Sequence, residues 1–266
     1  MTSLADLRHL RLEIEPPLGR LTFNRPEKRN AMSPEMGDEV AEAVARINEQ
    51  RDVRAMVVTG AGKVFSAGGD LDMILELTKI SERESAAHMA AYYRKYFSLR
   101  DIAVPTIAMI NGHAIGAGLC VALGCDLRTI SADAKVGLTF VRLGLNVGMG
   151  GTYTLPRLIG LGPAAELLFT GELITAGRAA ELGLVNRVCP REELEEETQK
   201  LARTIAANGP EALRQTKRSL YEGLAGDLDH VFECEAQGQS RCYQTQDIHE
   251  GVAAVRQKRS PEFRGE

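Results

Sequence analysis

Residues 104–120 read VPTIAMINGHAIGAGLC. Val104–Ile110 is a short, largely apolar run, as expected of a strand buried on both faces. Asn111 and Gly112 end it, and a helix is expected from about Gly116. The wider stretch Ile102–Cys125 carries no formal charge with His113 neutral, a length that could span a bilayer. Pro105, Asn111, Gly112 and His113 interrupt it, so a strand, a turn and a buried helix explain it better.

The same strand, glycine loop and helix recur upstream. Ala55–Thr59 (AMVVT) reads as a buried strand, Gly60–Gly69 as a loop, and Asp70 as the N-cap of a helix. Residues 8–15 and 20–24 read as strands around a turn at Pro16, Pro17 and Gly19. A polar loop, Asn24–Ala31, leads to Ser33-Pro34-Glu35, a helix start, and Met36, Val40, Val44 and Ile47 follow at helical spacing. A long helix is expected over 82–100 and a third buried strand over 126–131. Beyond residue 150 the pattern is mostly helical: Thr175 caps a short helix ending at Gly183, and 184–189 reads as a last strand. Helices are expected over 191–207, 210–222, 227–244 and 247–258. The alternation of buried strands and helices is that of an α/β chain.

Composition narrows the function classes. The 266 residues carry 32 Lys+Arg against 36 Asp+Glu, a net charge of −4, so no global attraction for nucleic acid or an anionic membrane is expected. Five scattered cysteines, Cys120, Cys125, Cys189, Cys234 and Cys242, argue against a disulfide framework. No CxxC or zinc-spaced His/Cys cluster occurs, so no metal is expected. A cytoplasmic location is the default reading, and the opening MTSLADLRHLRLEIE, with Asp6 and Glu13, lacks the apolar core of a secretory signal. Walker A, GxGxxG, HExxH and GxSxG motifs are absent.

Two glycine-rich loops remain, Phe65–Leu71 (FSAGGDL) and Asn111–Cys120, each running from a strand end into a helix start. Helix N-termini present unpaired N–H groups and partial positive charge. Two such ends aimed at one point would form an oxyanion hole. On the residues alone, two tight turns that use glycine for packing are the favoured reading.

Taken together, NRPEKRNAMS (24–33), FSAGGDL, the strand into NGHAIGAG, CDL (125–127), GGTYTLPRLIG (150–160) and TGELITAGRAAELGLVNRV (170–188) resemble the enoyl-CoA hydratase/isomerase (crotonase) superfamily. The resemblance runs from about residue 8 to Arg259. It implies a crotonase-like spiral of ββα units over 1–195 holding an acyl-CoA site. It also implies a helical C-terminal trimerisation region over 196–266, in a homotrimer or a pair of trimers. The ligand would be an acyl-CoA thioester, with no cofactor beyond the substrate's own coenzyme A. By position in the motifs, the backbone N–H groups of Gly69 and Ala117 would bind the thioester oxygen. Ala117 stands where the family usually has Gly. Lys28, Ala31, Ala67, Gly68, Asp70, Leu71 and Gly116 would line the coenzyme side, and Lys258 would reach a neighbouring subunit's coenzyme phosphate. Asp70 reads as a helix cap rather than a catalyst.

The departures fall on the catalytic side chains. Where hydratases of this family carry two glutamates, this sequence has Cys120 and Phe140. The aspartate of dienoyl isomerases falls at Gly148. Losing one positioned acid or base typically costs ~10²–10⁴-fold. Three readings follow. One is a different acyl-CoA reaction, such as decarboxylation of a malonyl-type thioester, with Thr139, Arg142, Asn146 or His113 as polar neighbours. Another is a non-catalytic acyl-CoA carrier or sensor. In the third, a carboxylate such as Glu76, Glu84 or Glu166 reaches the site. Cys120, in the first turn of a helix, is a further candidate nucleophile with a lowered pKa.

Overall fold

The computed structural model describes residues 7–266 and the backbone of Thr2 and Ser3; the opening-segment expectation rests partly on positions outside these. A seven-stranded sheet carries the chain. In chain order its strands are β1 (Thr2–Ser3), β2 (Leu10–Glu15), β3 (Leu18–Phe23), β4 (Ala55–Gly60), β5 (Thr106–Ile110), β7 (Leu127–Ser131) and β10 (Arg187–Cys189). They lie side by side in that order. The first three pair antiparallel, and β3 to β10 run parallel, with Phe23 opposite Gly60, Met56 opposite Thr106 and Ile110 opposite Ile130. A small second sheet joins β6 (Ala114–Ile115), β8 (Lys135–Gly137) and β9 (Ile174–Thr175). Its strands of two or three residues show no readable periodicity.

The apolar runs now have a physical reason. Every residue of β4 and β5 is buried. In β4, Met56 and Val58 join the main core, whereas Val57 faces a second cluster with Ile107, Met109, Cys189, Leu194 and Ala202. Parallel strands covered on both faces need no polar side.

Helix α1 (Pro34–Glu49) covers the first face with Met36, Val40, Val44 and Ile47. It starts where Ser33 Oγ accepts the Met36 N–H at 3.3 Å, with Pro34 in the first turn. Next come α2 (Leu71–Leu77) and α3 (Glu82–Phe97), the latter opened by a Ser81/Glu84 capping box.

Helix α4 (Ala117–Gly124) is buried along its whole length, which accounts for the uncharged stretch. No helix of the described residues is long and apolar enough to cross a membrane. Helices α5 (Gly151–Ile159), α6 (Leu161–Thr170) and α7 (Ala176–Glu181) follow.

The second face is covered by α8 (Leu194–Ala206), which straddles the expected boundary at 195/196 and packs with the core. Helix α9 (Pro210–Gly223) pairs with α10 (Leu228–Cys242), and α11 (Gln246–Gln257) ends the helical region. Asp126 anchors α9 to the sheet. Its carboxylate meets Lys217 Nζ at 2.8 Å, the Thr106 N–H at 2.7 Å and the Tyr221 hydroxyl at 2.6 Å.

Candidate active site

Three loops are stitched together at the strand ends. Asn30 is fully buried, and its Nδ2 donates to the carbonyls of Ala61 and Val64 at 3.0 Å and Phe65 at 3.2 Å. Its Oδ1 accepts the Arg25 N–H at 3.0 Å. The Ala67 N–H donates to Arg29 C=O, Met32 N–H to Gly68 C=O, and Asp70 N–H to Met32 C=O, all at 2.8–3.0 Å. From the other side, Phe65 and Ser66 N–H donate to His113 C=O, and Ile115 N–H donates to Ser66 C=O. The NRPEKRNA loop and both glycine-rich loops therefore form one unit.

Glycine is required at two positions in it. Gly68 has φ +101, and a Cβ there would fall 2.8 Å from Ile115 C=O and 3.6 Å from Ala117 N. Gly116, the residue before α4, has φ +54 and ψ −122, a region closed to L side chains. The first loop therefore passes beside the first residue of α4. Neither the Gly69 nor the Ala117 N–H donates to any acceptor among the described residues.

Both residues line a cavity of about 680 Å³. Lys28, Arg29, Ala31, Ala67, Gly68, Asp70 and Leu71 line it, as do Gly116, Thr139 and Phe140, with the Thr139 hydroxyl beside Gly116. Helix α2 adds Met73, Ile74 and Leu77, and the segment after Phe140 adds Leu143, Leu145, Asn146 and Met149. Lys28 is exposed, 3.7 Å from the Asp72 carboxylate. Asp70 accepts the Asp72 N–H at 3.1 Å, capping α2, and pairs with Arg25 at 3.4 Å.

Other candidates lie elsewhere. Lys258 ends α11 in an exposed left-handed turn and does not line the cavity of its own chain. Arg142 Nε donates to Thr170 C=O at 3.3 Å, off the cavity, and His113 Nδ1 accepts the Lys135 N–H at 3.0 Å. Glu76 pairs with Lys79, Glu84 is held in the capping box, and Glu166 is not among the lining residues.

Cys120 corrects an expectation. Its thiol is buried and faces Gly148 C=O at 3.6 Å instead of the cavity. Burial pushes its pKa up, outweighing the helix start, so it is held as a neutral thiol.

Helix α3 supplies a wall that the sequence reading did not assign: Ser85, Met89, Tyr92 and Tyr93. The i, i+4, i+7 spacing of Ser85, Met89 and Tyr92 was the available signal. The Tyr92 hydroxyl donates to Met32 C=O at 2.9 Å and Tyr96 to Ser33 C=O at 2.7 Å, pinning α3 to the stitched loops.

Residues 13–266 match the family model described as Enoyl-CoA hydratase/isomerase. The chain belongs to this family. A crotonyl-CoA hydratase of Syntrophomonas wolfei is 38% identical over 253 residues, covering 95% of this chain and 96% of its own length. A short-chain-enoyl-CoA hydratase of Clostridium acetobutylicum is 33% identical over 258 residues, 97% of this chain and 98% of its own. Among solved structures, an enoyl-CoA hydratase from Bacillus anthracis superposes with a TM-score of 0.90 at 35% identity, covering 97% of this chain and all of its own. The crotonase fold is thus shared across nearly the whole length.

Away from the cavity, Glu222, His230 and Cys234 bring ligand-type atoms within 4.8 Å of one another. His230 and Cys234 sit one turn apart on α10, and Glu222 comes from α9, a juxtaposition that local spacing does not reveal. Arg218 Nε holds Glu222 at 2.7 Å and offsets its charge.

Proposed function

We propose that this family member binds an acyl-CoA thioester in the cavity, with the thioester oxygen between the Gly69 and Ala117 N–H groups. There the pair would stabilise an enolate or tetrahedral oxyanion. The observation that carries this reading is the two unpaired backbone donors, on loops bonded to each other, opening to one cavity. Each such donor is worth ~3 kcal/mol where charge develops in the transition state. Lys28 and Arg29 in the lining suit the coenzyme phosphates. Under this reading the reaction draws on no cofactor beyond the coenzyme A of the substrate.

The same reading makes the protein a slow hydratase, although several relatives carry that name. The family resemblance puts the hydratase carboxylates at Cys120 and Phe140. The carboxylates lining the cavity among the described residues, Asp70 and Asp72, are engaged with Arg25 and Lys28. Among the described residues, no unpaired carboxylate lines the cavity to deprotonate water.

A second reading, decarboxylation of a malonyl-type thioester, is favoured by the lining beyond Ala117. Phe140, Leu143, Leu145 and Met149 offer no cation there, and Arg142 points away. A carboxylate that meets hydroxyls but no cation is costly away from water. Loss of CO₂ moves the charge to the two N–H donors without a base.

The exposed apolar residues Leu220, Leu224, Leu228 and Phe232 on and between α9 and α10 suit self-association of the C-terminal helices, in a trimer or a pair of trimers. Light scattering measures that.

The functional test combines calorimetry with mass analysis. Crotonyl-CoA should bind but hydrate at least ~10²-fold more slowly than with an ordinary family hydratase. Hydration at the ordinary rate refutes the reading. Loss of CO₂ from malonyl-CoA supports the second reading, and tight binding without any new mass over an acyl-CoA panel leaves a carrier.

A further inference from the structure

Tyr93 stands apart from the other tyrosines of α3. Tyr92 and Tyr96 spend their hydroxyls on backbone carbonyls. Tyr93 is half-buried, lines the cavity, and its hydroxyl has no hydrogen-bond partner among the described residues.

Its position is defined by Gly148. A Cβ added at Gly148 would fall 2.3 Å from the Tyr93 Oη, so the phenol occupies the space that a side chain at 148 would need. The carbonyl of that same Gly148 faces the Cys120 thiol. The phenol thus adjoins two of the positions where the family resemblance implies acids, and both are without one in this chain. Phe140, the third such position, lines the same cavity.

We infer that the Tyr93 hydroxyl is the hydrogen-bond donor of the acyl end of the site, and that it selects acyl-CoA thioesters bearing an oxygen acceptor on the acyl chain over plain hydrocarbon chains. This rests on the acyl-CoA reading above.

The chemistry fits a donor rather than a base. An ordinary tyrosine is ionised in only about one molecule in 10³ at pH 7. Burial, with Cys120 nearby, pushes the Tyr93 pKa up further, so the hydroxyl keeps its proton. A buried donor facing a hydrocarbon chain would remain unpaired, at a cost that an acceptor on the ligand removes. The Thr139 hydroxyl, which also has no partner among the described residues, lines the same cavity beside Gly116 and offers a second contact for such a group.

The test measures binding of acetoacetyl-CoA and butyryl-CoA, two four-carbon ligands that differ by one oxo group, to the full-length protein and to Tyr93→Phe. The hydroxyl makes no hydrogen bond among the described residues, so the variant should keep the parent's circular dichroism and melting temperature. Calorimetry should show acetoacetyl-CoA weakened about 5–10-fold in the variant, with butyryl-CoA changed less than about 2-fold. Equal effects on both ligands, or on neither, overturn the assignment while leaving the acyl-CoA reading in place. Failure of both ligands to bind the parent protein at millimolar concentration overturns the acyl-CoA reading and this inference with it. Gly148→Ala is the independent variant. A methyl there displaces the phenol, and the same selective loss for acetoacetyl-CoA is expected; unchanged affinity counts against the assignment.

Discussion

Asn30→Ala should be among the most damaging single substitutions near the cavity, although Asn30 touches no ligand position. Its amide serves three carbonyls with two protons, and its Oδ1 serves the Arg25 N–H. Removing the side chain strands about three polar groups' worth of hydrogen bonding, at about 1 kcal/mol or more each. The backbone adds a second term. Asn30 has φ +53, a left-handed conformation that Asn tolerates and that costs Ala about 1 kcal/mol. The total is about 4 kcal/mol, a large share of an ordinary domain's stability. Asn30→Gly removes the same bonds without the backbone strain, so it should recover about 1 kcal/mol. Urea denaturation followed by circular dichroism, with unchanged slope, measures both. Loss of the stitching should also loosen the Gly68–Gly69 segment and weaken acyl-CoA binding in parallel. A loss below 1 kcal/mol for Asn30→Ala, or a glycine variant no better than the alanine one, would refute the reasoning.

Three further outcomes are expected. Ala117→Pro removes one N–H at the first position of α4, where proline is well accommodated, so turnover of any processed acyl-CoA should fall ~10²–10³-fold with the fold retained; full activity in a steady-state assay counts against the donor role. Asp126→Ala leaves Lys217, itself only 8% exposed, without its carboxylate and should cost about 3–5 kcal/mol in chemical denaturation, whereas Asp126→Leu with Lys217→Met should cost less. Glu250, gripped by Arg259 and accepting the Glu262 N–H, has its pKa lowered from 4.5 to about 2. A lowered carboxylate pKa contributes stability above 4.5 that is lost as pH falls through about 2. Glu262 amide protection, corrected for the intrinsic exchange rate, should therefore persist at pH 4 and disappear near pH 2; loss already at pH 4 contradicts the assignment.

Much of the fold was legible because its strands are covered on both faces. The run at 55–59 reads as interior, the uncharged stretch from 102 does so because Pro105 and Asn111–His113 break it too often for a membrane span, and Ser33-Pro34 marks a helix start by local chemistry. The glycine loops were legible as strand-to-helix turns, but their convergence depends on bonds between residues dozens of positions apart, such as Asn30 to Phe65. Cys120 shows the limit in the other direction. A helix start predicts a low thiol pKa, yet the side chain's direction, which the sequence does not state, buries it and reverses the sign. Tyr92 and Tyr93 are neighbours in sequence with different tasks, since only one hydroxyl meets a carbonyl. The role of α8 was hidden because its buried residues, Leu194, Thr198 and Ala202, mix sizes and polarity on a Glu-rich helix.

Selective ¹⁵N labelling of glycine and alanine, with amide spectra recorded during titration, addresses the two backbone donors themselves. On adding a non-reactive acyl-CoA, the Gly69 and Ala117 amide protons should both move downfield, and free coenzyme A lacking the thioester should leave them nearly in place. If either amide is indifferent to the acyl-CoA, or both respond equally to free coenzyme A, the two N–H groups do not share one thioester oxygen.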